Sequence, residues 1–269
     1  MDPALRSAIM SSPWSWVLVS MLGLAVGSFV NVLIWRLPRE ESILRPASRC
    51  PKCGNALKWY HNIPVFSWLV LRGKCGFCRA PIRWVYPAVE LICGGLFVGF
   101  FARYGPTVST LAFWYLAATL IAVLFIDWEF QIIPNELTYS ALVVGLGTSF
   151  FSHHITWSQS LMGAAVGFGG FLGLAYLGSW LFKKDSLGGG DIKLAAAMGA
   201  FLGVWKILLV FILSAAIGLV LAAIGMFFSA SLRKHHTIPF GPSLALAALL
   251  AGFWGQEIIR FYIEHFIGN

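Results

Sequence analysis

Two aspartates stand where chemistry inside a membrane would need them. Asp127 closes the apolar run from Leu120 to Ile126, and Asp191 follows Gly188, Gly189 and Gly190 and opens a second apolar run. A carboxylate at membrane depth is costly and rarely kept without a task. Two of them a few ångströms apart could not both ionise cheaply, so one would hold a proton while the other stayed charged. That state suits amide hydrolysis. The carboxylate takes a proton from the attacking water, and the protonated partner supports the oxyanion and then the leaving amine. Such a pair titrates as a unit, which leaves open which residue is acid and which is base. Taken singly, each aspartate reads better as a helix end at the interface, and Asp191 would be a favourable helix start. The three glycines favour the catalytic reading. They permit backbone shapes and close approaches denied to other residues, and a protease must hold its substrate extended.

Four cysteines form a second constellation. Cys50-Pro51-Lys52-Cys53 and Cys75-Gly76-Phe77-Cys78 are separated by 21 residues, the spacing of a zinc ribbon. Gly54, just after the first pair, and Gly76, inside the second, let backbone amides turn toward the sulfurs. Four thiolates leave no open coordination position, so the zinc would be structural. A redox pair is the alternative, but two matched pairs exceed what redox chemistry needs. The fifth cysteine, Cys93, lies in an apolar run and reads as a small packing residue.

The elements that must carry these groups follow from composition. Of 269 residues, 58% are hydrophobic and only 11% charged, where soluble domains have roughly a quarter charged. The pattern is that of an all-α polytopic membrane protein with about eight transmembrane helices. The first span is 14–35, too long for the core of a cleaved leader and read as a retained helix. The others are 84–102, 108–126, 132–151, 160–182, 191–204, 206–229 and 241–263. Ten of the 19 Lys and Arg residues fall between Arg36 and Arg83, against two acids, Glu40 and Glu41. So basic a loop stays cytoplasmic, which places the amino terminus in the periplasm. The same charge suits anionic lipid headgroups; nucleic-acid binding is excluded, because no stacking or groove-reading motif accompanies it. Pro38, Pro46, Pro51, Pro64 and Pro81 break any long helix in the loop, and a segment this small needs a metal staple. The expected organisation is therefore a periplasmic amino terminus and first span (1–35), a small cytoplasmic zinc-ribbon-like tetracysteine domain (36–83) and a transmembrane core (84–269). Alternation places Lys183, Lys184, Arg233 and Lys234 on the cytoplasmic side, and with them Asp127 and Asp191. The His153-His154 and His235-His236 pairs read as loop residues, and no internal repeat is evident.

The segment Gly188-Gly189-Gly190-Asp191 matches the Gly-x-Gly-Asp signature shared by prepilin peptidases and presenilin-like intramembrane proteases. Phe125-Ile126-Asp127 with Ile133-Pro134-Asn135-Glu136 resembles the first-aspartate segment of the prepilin peptidases. Gly27 to Asn31 with Arg36 and Pro38, Tyr86-Pro87 with Glu90, and Pro239 to Pro242 resemble further stretches of that family in the same order. Many relatives carry an aspartate where Asn135 stands. The resemblance implies an aspartic endopeptidase of the bacterial inner membrane. Its substrates would be type IV prepilins or type II secretion pseudopilins, cut after a glycine at the cytoplasmic face. It also implies N-methylation of the new amino terminus with S-adenosylmethionine, for which Glu90, about seven residues into its apolar run, is the candidate side chain. Family members commonly carry a tetracysteine domain. Lys193 reads as a contact for a headgroup or a substrate carboxylate. Two other classes compete. A proton-coupled transporter or channel would also use intramembrane aspartates, but along a path rather than together at one face. A zinc-bearing assembly scaffold would turn over nothing.

Overall fold

The computed structural model describes residues 3–45, 47–152, 154–183, 187–228 and 239–267. Pro46, His153, Lys184, Arg233, Lys234, His235 and His236, which carry part of the topology and loop expectations, lie outside the described residues. The chain divides into two compact units, Met1–Thr110 and Leu111–Asn269.

The first unit holds α1 (Pro3–Ser11), α2 (Pro13–Arg36), the short α3 (Phe66–Val70) and α4 (Val85–Tyr104). α2 and α4 pack along a seam of small residues. A Cβ at Gly27 would fall 2.6 Å from the Cα of Glu90, and one at Gly23 would fall 2.9 Å from the Cα of Gly94. Helices that meet in lipid gain from such backbone approach, because no hydrophobic effect drives them together there. Asn31 donates from Nδ2 to the carbonyl of Tyr86 at 3.0 Å, closing the seam near α4's first turn. Cys93 is fully buried in it.

In the second unit, α5 (Val108–Phe130) leads into α6 (Asn135–Ser149), α7 (Trp157–Phe182), α8 (Gly189–Phe228) and α9 (Gly241–Tyr262). A capping box starts α7, with Thr156 and Gln159 bonding each other's backbone amides. α8 is 40 residues long but is broken at Gly203, whose φ of 77° suits glycine. Neighbours along the two halves show that the chain doubles back there. Before the break, Gly199 and Ala195 face Gly163 and Gly167 of α7 in antiparallel order. After it, Phe211 packs on Gly170 and Phe171 of the same helix, so 204–228 returns alongside. α9 then runs antiparallel to that returning half, with Gly255 against Lys206 and Ser243 against Gly218. The Gly163–Gly199 crossing leaves no room for a side chain on either helix.

Six helices among the described residues are long and apolar enough to cross a membrane. The expected count of about eight differs for two reasons. The stretch expected at 132–151 forms a helix of only 15 residues. The stretches expected at 191–204 and 206–229 are the two antiparallel halves of α8, which the count of six, made by length and composition, takes as one helix. Between α2 and α4, among the described residues, the loop contains no strand; two isolated antiparallel pairs, Arg49 with Ala56 and Lys74 with Pro81, bracket the cysteines. His154, expected as a plain loop residue, lies 3.2 Å through Nε2 from Nζ of the buried Lys206.

Candidate active site and metal centre

The end of α5 and the starts of α6, α8 and α9 meet at one end of the second unit. Asp127 lies in the last turn of α5 and is 6% exposed. Its Oδ2 accepts the backbone N–H of Gly241, the first residue of α9, at 2.8 Å. Asp191 lies in the first turn of α8, where its Oδ2 accepts the Gly188 N–H at 3.2 Å. The two carboxylates are near enough for the charge of one to act on the other. Around them, Gly190 lies against the side chain of Ile133, with room for no Cβ, and Nζ of Lys193 donates to Oδ1 of Asn135 at 2.7 Å. The opening helix ends turn unpaired amides and the positive poles of their dipoles toward the two acids.

Of the two expected uses of the three glycines, close approach is seen and a left-handed backbone is not. None of Gly188, Gly189 and Gly190 takes a positive φ, and α8 begins at Gly189. Their smallness serves close approach, of Gly190 to Ile133 and of the Gly188 amide to Asp191. Lys193 is engaged by Asn135 and lies 5.3 Å from the centre of the Tyr139 ring. Asn135 thus ties α6 to α8 as a neutral acceptor. Gly241 was not singled out as a site residue. The signal for it is a Gly-Pro pair opening the last apolar run: proline marks the first turn of a helix, where backbone amides have no partner within the helix and can donate elsewhere.

Glu90, in the first unit, is almost fully buried, and its Oε2 accepts the Val65 N–H at 2.7 Å. Ser28 supplies a second hydrogen bond.

The cysteine sulfurs of 50, 53, 75 and 78 all lie within 4.8 Å of one another, with Cys50 and Cys78 3.9 Å apart. Zinc bound tetrahedrally at about 2.3 Å would space thiolates by about 3.8 Å, so the quartet fits that metal. Two superposable knuckles build it, a repeat that the residue types conceal. Cys50 and Cys75 accept from the amides of Gly54 and Arg79, and donate to the carbonyls of Asn55 and Ala80. The left-handed position is Gly54 in the first knuckle, as its type suggests, but Arg79 rather than Gly76 in the second. The amides of Cys78 and Phe77 bond the Cys75 sulfur and hold its pKa at about 6, so this thiolate is ready for metal at neutral pH.

Comparison with known proteins supplies the decision. Residues 21–104 match the model of the bacterial peptidase A24 N-terminal domain, and residues 114–223 match that of the type IV leader peptidase family. The chain is 35% identical over 283 residues to the prepilin leader peptidase/N-methyltransferase of Aeromonas hydrophila, covering 95% of this chain and 96% of that protein. The chain belongs to the type IV leader peptidase family. The protein of the same description from Stutzerimonas stutzeri is 37% identical over 284 residues, 94% of this chain and 96% of that one. The one from Myxococcus xanthus is 44% identical over 193 residues, which span 72% of this chain and 57% of its relative. No solved structure matches the chain.

Proposed function

We propose that this protein is a prepilin leader peptidase and N-methyltransferase of the bacterial inner membrane, with Asp127 and Asp191 as its proteolytic pair. The observation that carries the reading is the placement of Asp127 in the last turn of α5 and Asp191 in the first turn of α8, near enough for one charge to act on the other, with Asp127 held by the Gly241 amide. One carboxylate draws a proton from water as that water attacks the carbonyl carbon of the leader's last glycine. The other donates a proton to the oxyanion and then assists the departing amine. The Gly241 and Gly188 amides keep both carboxylates aimed, and Lys193 with Asn135 fixes the start of α8 against α6. Charge bias in the loop between α2 and α4 supports a periplasmic amino terminus and an active site at the cytoplasmic face. The substrates are type IV prepilins or type II secretion pseudopilins. A proton-coupled transporter gains no support from a pair gathered at one helix-rich end.

Zinc bound by Cys50, Cys53, Cys75 and Cys78 closes the 36–83 domain as a structural staple. For methyl transfer, S-adenosylmethionine supplies the electrophilic methyl group. Glu90 is the candidate side chain for that half; the Val65 amide and Ser28 hold its carboxylate and leave acceptor sites over, and no step is routed through it. The test is leader cleavage by purified Asp127→Asn and Asp191→Asn proteins in lipid. Each should insert normally, keep its zinc and cut no prepilin; full cleavage by either overturns the dyad.

A further inference from the structure

The segment from Ile63 to Leu71 contains no charged side chain, although it lies in the middle of the basic loop. Its geometry places it at the depth of a membrane helix. Glu90 is five residues beyond the first residue of α4, about 7.5 Å along the axis. At that level α4 already presents apolar side chains outward: its neighbour Leu91 is 55% exposed, as lipid-facing residues of a span must be. Glu90 reaches sideways and takes the amide of Val65 at 2.7 Å. Val65 is held at a φ of 59°, a backbone conformation costly for a β-branched residue and sustained only where its surroundings fix it. α3 starts at the next residue. Trp68 turns inward, its ring against Gly73 and its Nε1 donating to the Ile82 carbonyl at 3.3 Å. Phe66, Leu69 and Val70 turn outward and are 60%, 59% and 64% exposed.

We propose that residues 63–71 form a wedge that re-enters the bilayer beside α4, with Phe66, Leu69 and Val70 against lipid acyl chains of the leaflet that faces the basic loop. Two independent features select lipid as the occupant. The Val65–Glu90 bond sets the depth. The charge around the wedge sets the surface: Lys58, Arg72 and Lys74 flank it in a loop with ten cations and two acids, suited to anionic headgroups, with long stems that reach up to them. Exposed Trp59 and Trp84, on either side of the wedge in sequence, belong to the aromatic band expected at the headgroup level. The carboxylate of Glu90 is thereby an anchor that fastens the tetracysteine domain to the membrane helices.

The experiment uses the full-length, zinc-loaded protein in nanodiscs of phosphatidylethanolamine and phosphatidylglycerol. Hydroxyl-radical oxidation of the wild-type chain compares three exposed leucines: Leu69 at 59%, Leu91 on α4 at 55%, and Leu44 in the basic loop at 84%, a difference in exposure too small to give a severalfold difference in rate. The expected result is a severalfold lower rate at Leu69 than at Leu44, matching Leu91; equal rates at Leu69 and Leu44 overturn the proposal. A second arm places a benzophenone side chain at position 69, or at position 66 should the first variant lose its zinc. Adducts to acyl chains support the wedge. Adducts to a second copy of the chain or to a prepilin, or none to lipid, overturn it.

Discussion

Replacing Gly241 by alanine tests the site through one added methyl group. A Cβ there would fall 2.6 Å from Oδ2 of Asp127 and 3.0 Å from its Cγ, where ordinary contact begins at 3.4 Å. The carboxylate or the start of α9 must therefore move by about 0.8 Å, which breaks the 2.8 Å hydrogen bond from the Gly241 amide. Neither group can relax into solvent, because Asp127 is almost fully buried. A hydrogen bond to a charged group contributes about 1.5–3 kcal/mol, and a loss of that size from the transition state lowers the rate about 10- to 150-fold. The assay is cleavage of a prepilin in lipid under saturating and single-turnover conditions. Because the bond aims a reacting carboxylate and does not hold substrate, the loss should appear in kcat with KM little changed. Gly147→Ala is the control, since a Cβ there meets nothing within 4 Å. A Gly241→Ala protein that inserts normally and keeps kcat within about twofold of wild type would refute the claim that this amide positions Asp127.

Three further outcomes are expected. Serine in place of any one of Cys50, Cys53, Cys75 and Cys78 should lower the zinc content measured by metal analysis and open the loop to limited proteolysis; a quadruple variant that retains one equivalent of zinc contradicts the quartet. Protons compete with the metal. The Cys75 pKa lies near 6, below the ordinary thiol value of 9.0, so this thiolate's stabilising contribution is complete above 9 and is lost as pH falls through about 6. Cys78 is shifted the other way, up to about 11, so protons compete for the quartet from neutral pH downward; zinc release followed by a chromogenic chelator should rise as pH falls, and a release curve flat from pH 7 to 5 speaks against it. Gly163→Ala should destabilise the α7–α8 crossing by about 1–3 kcal/mol and lower the melting temperature, whereas Gly169→Ala, in open space, should not.

Much of this architecture is legible in the residue types because its signals are local. Apolar runs mark the helices, the cysteine spacing marks the metal centre, and an acid at each of two run boundaries marks the pair. What escapes the sequence depends on pairing across long separations. The Gly241 amide meets Asp127 from 114 residues away, and nothing near either residue announces the other. The break at Gly203 falls beside the expected boundary between 191–204 and 206–229, but the packing of both halves against α7 is not written in the residue types. Arg79 takes the left-handed position that glycine would normally mark, because the loop between paired backbone bonds and clustered sulfurs dictates the conformation whatever the side chain. The Val65–Glu90 bond joins a loop to a span in a direction that hydropathy does not encode.

The reversal at Gly203 also bears on the bilayer itself. The half of α8 that carries Asp191 is about 21 Å long and its parallel neighbour α6 about 22 Å, against a hydrocarbon core of about 30 Å. The two shortest helices of the second unit begin at the candidate site. The half that carries Asp191 is shielded, with Leu194 to Leu202 buried among its neighbours, so a shortfall in length there would be met by protein and water rather than by acyl chains. On the proposed assignment of Asp127 and Asp191, short helices at the site would let water reach the pair and shorten the path of a scissile bond to it.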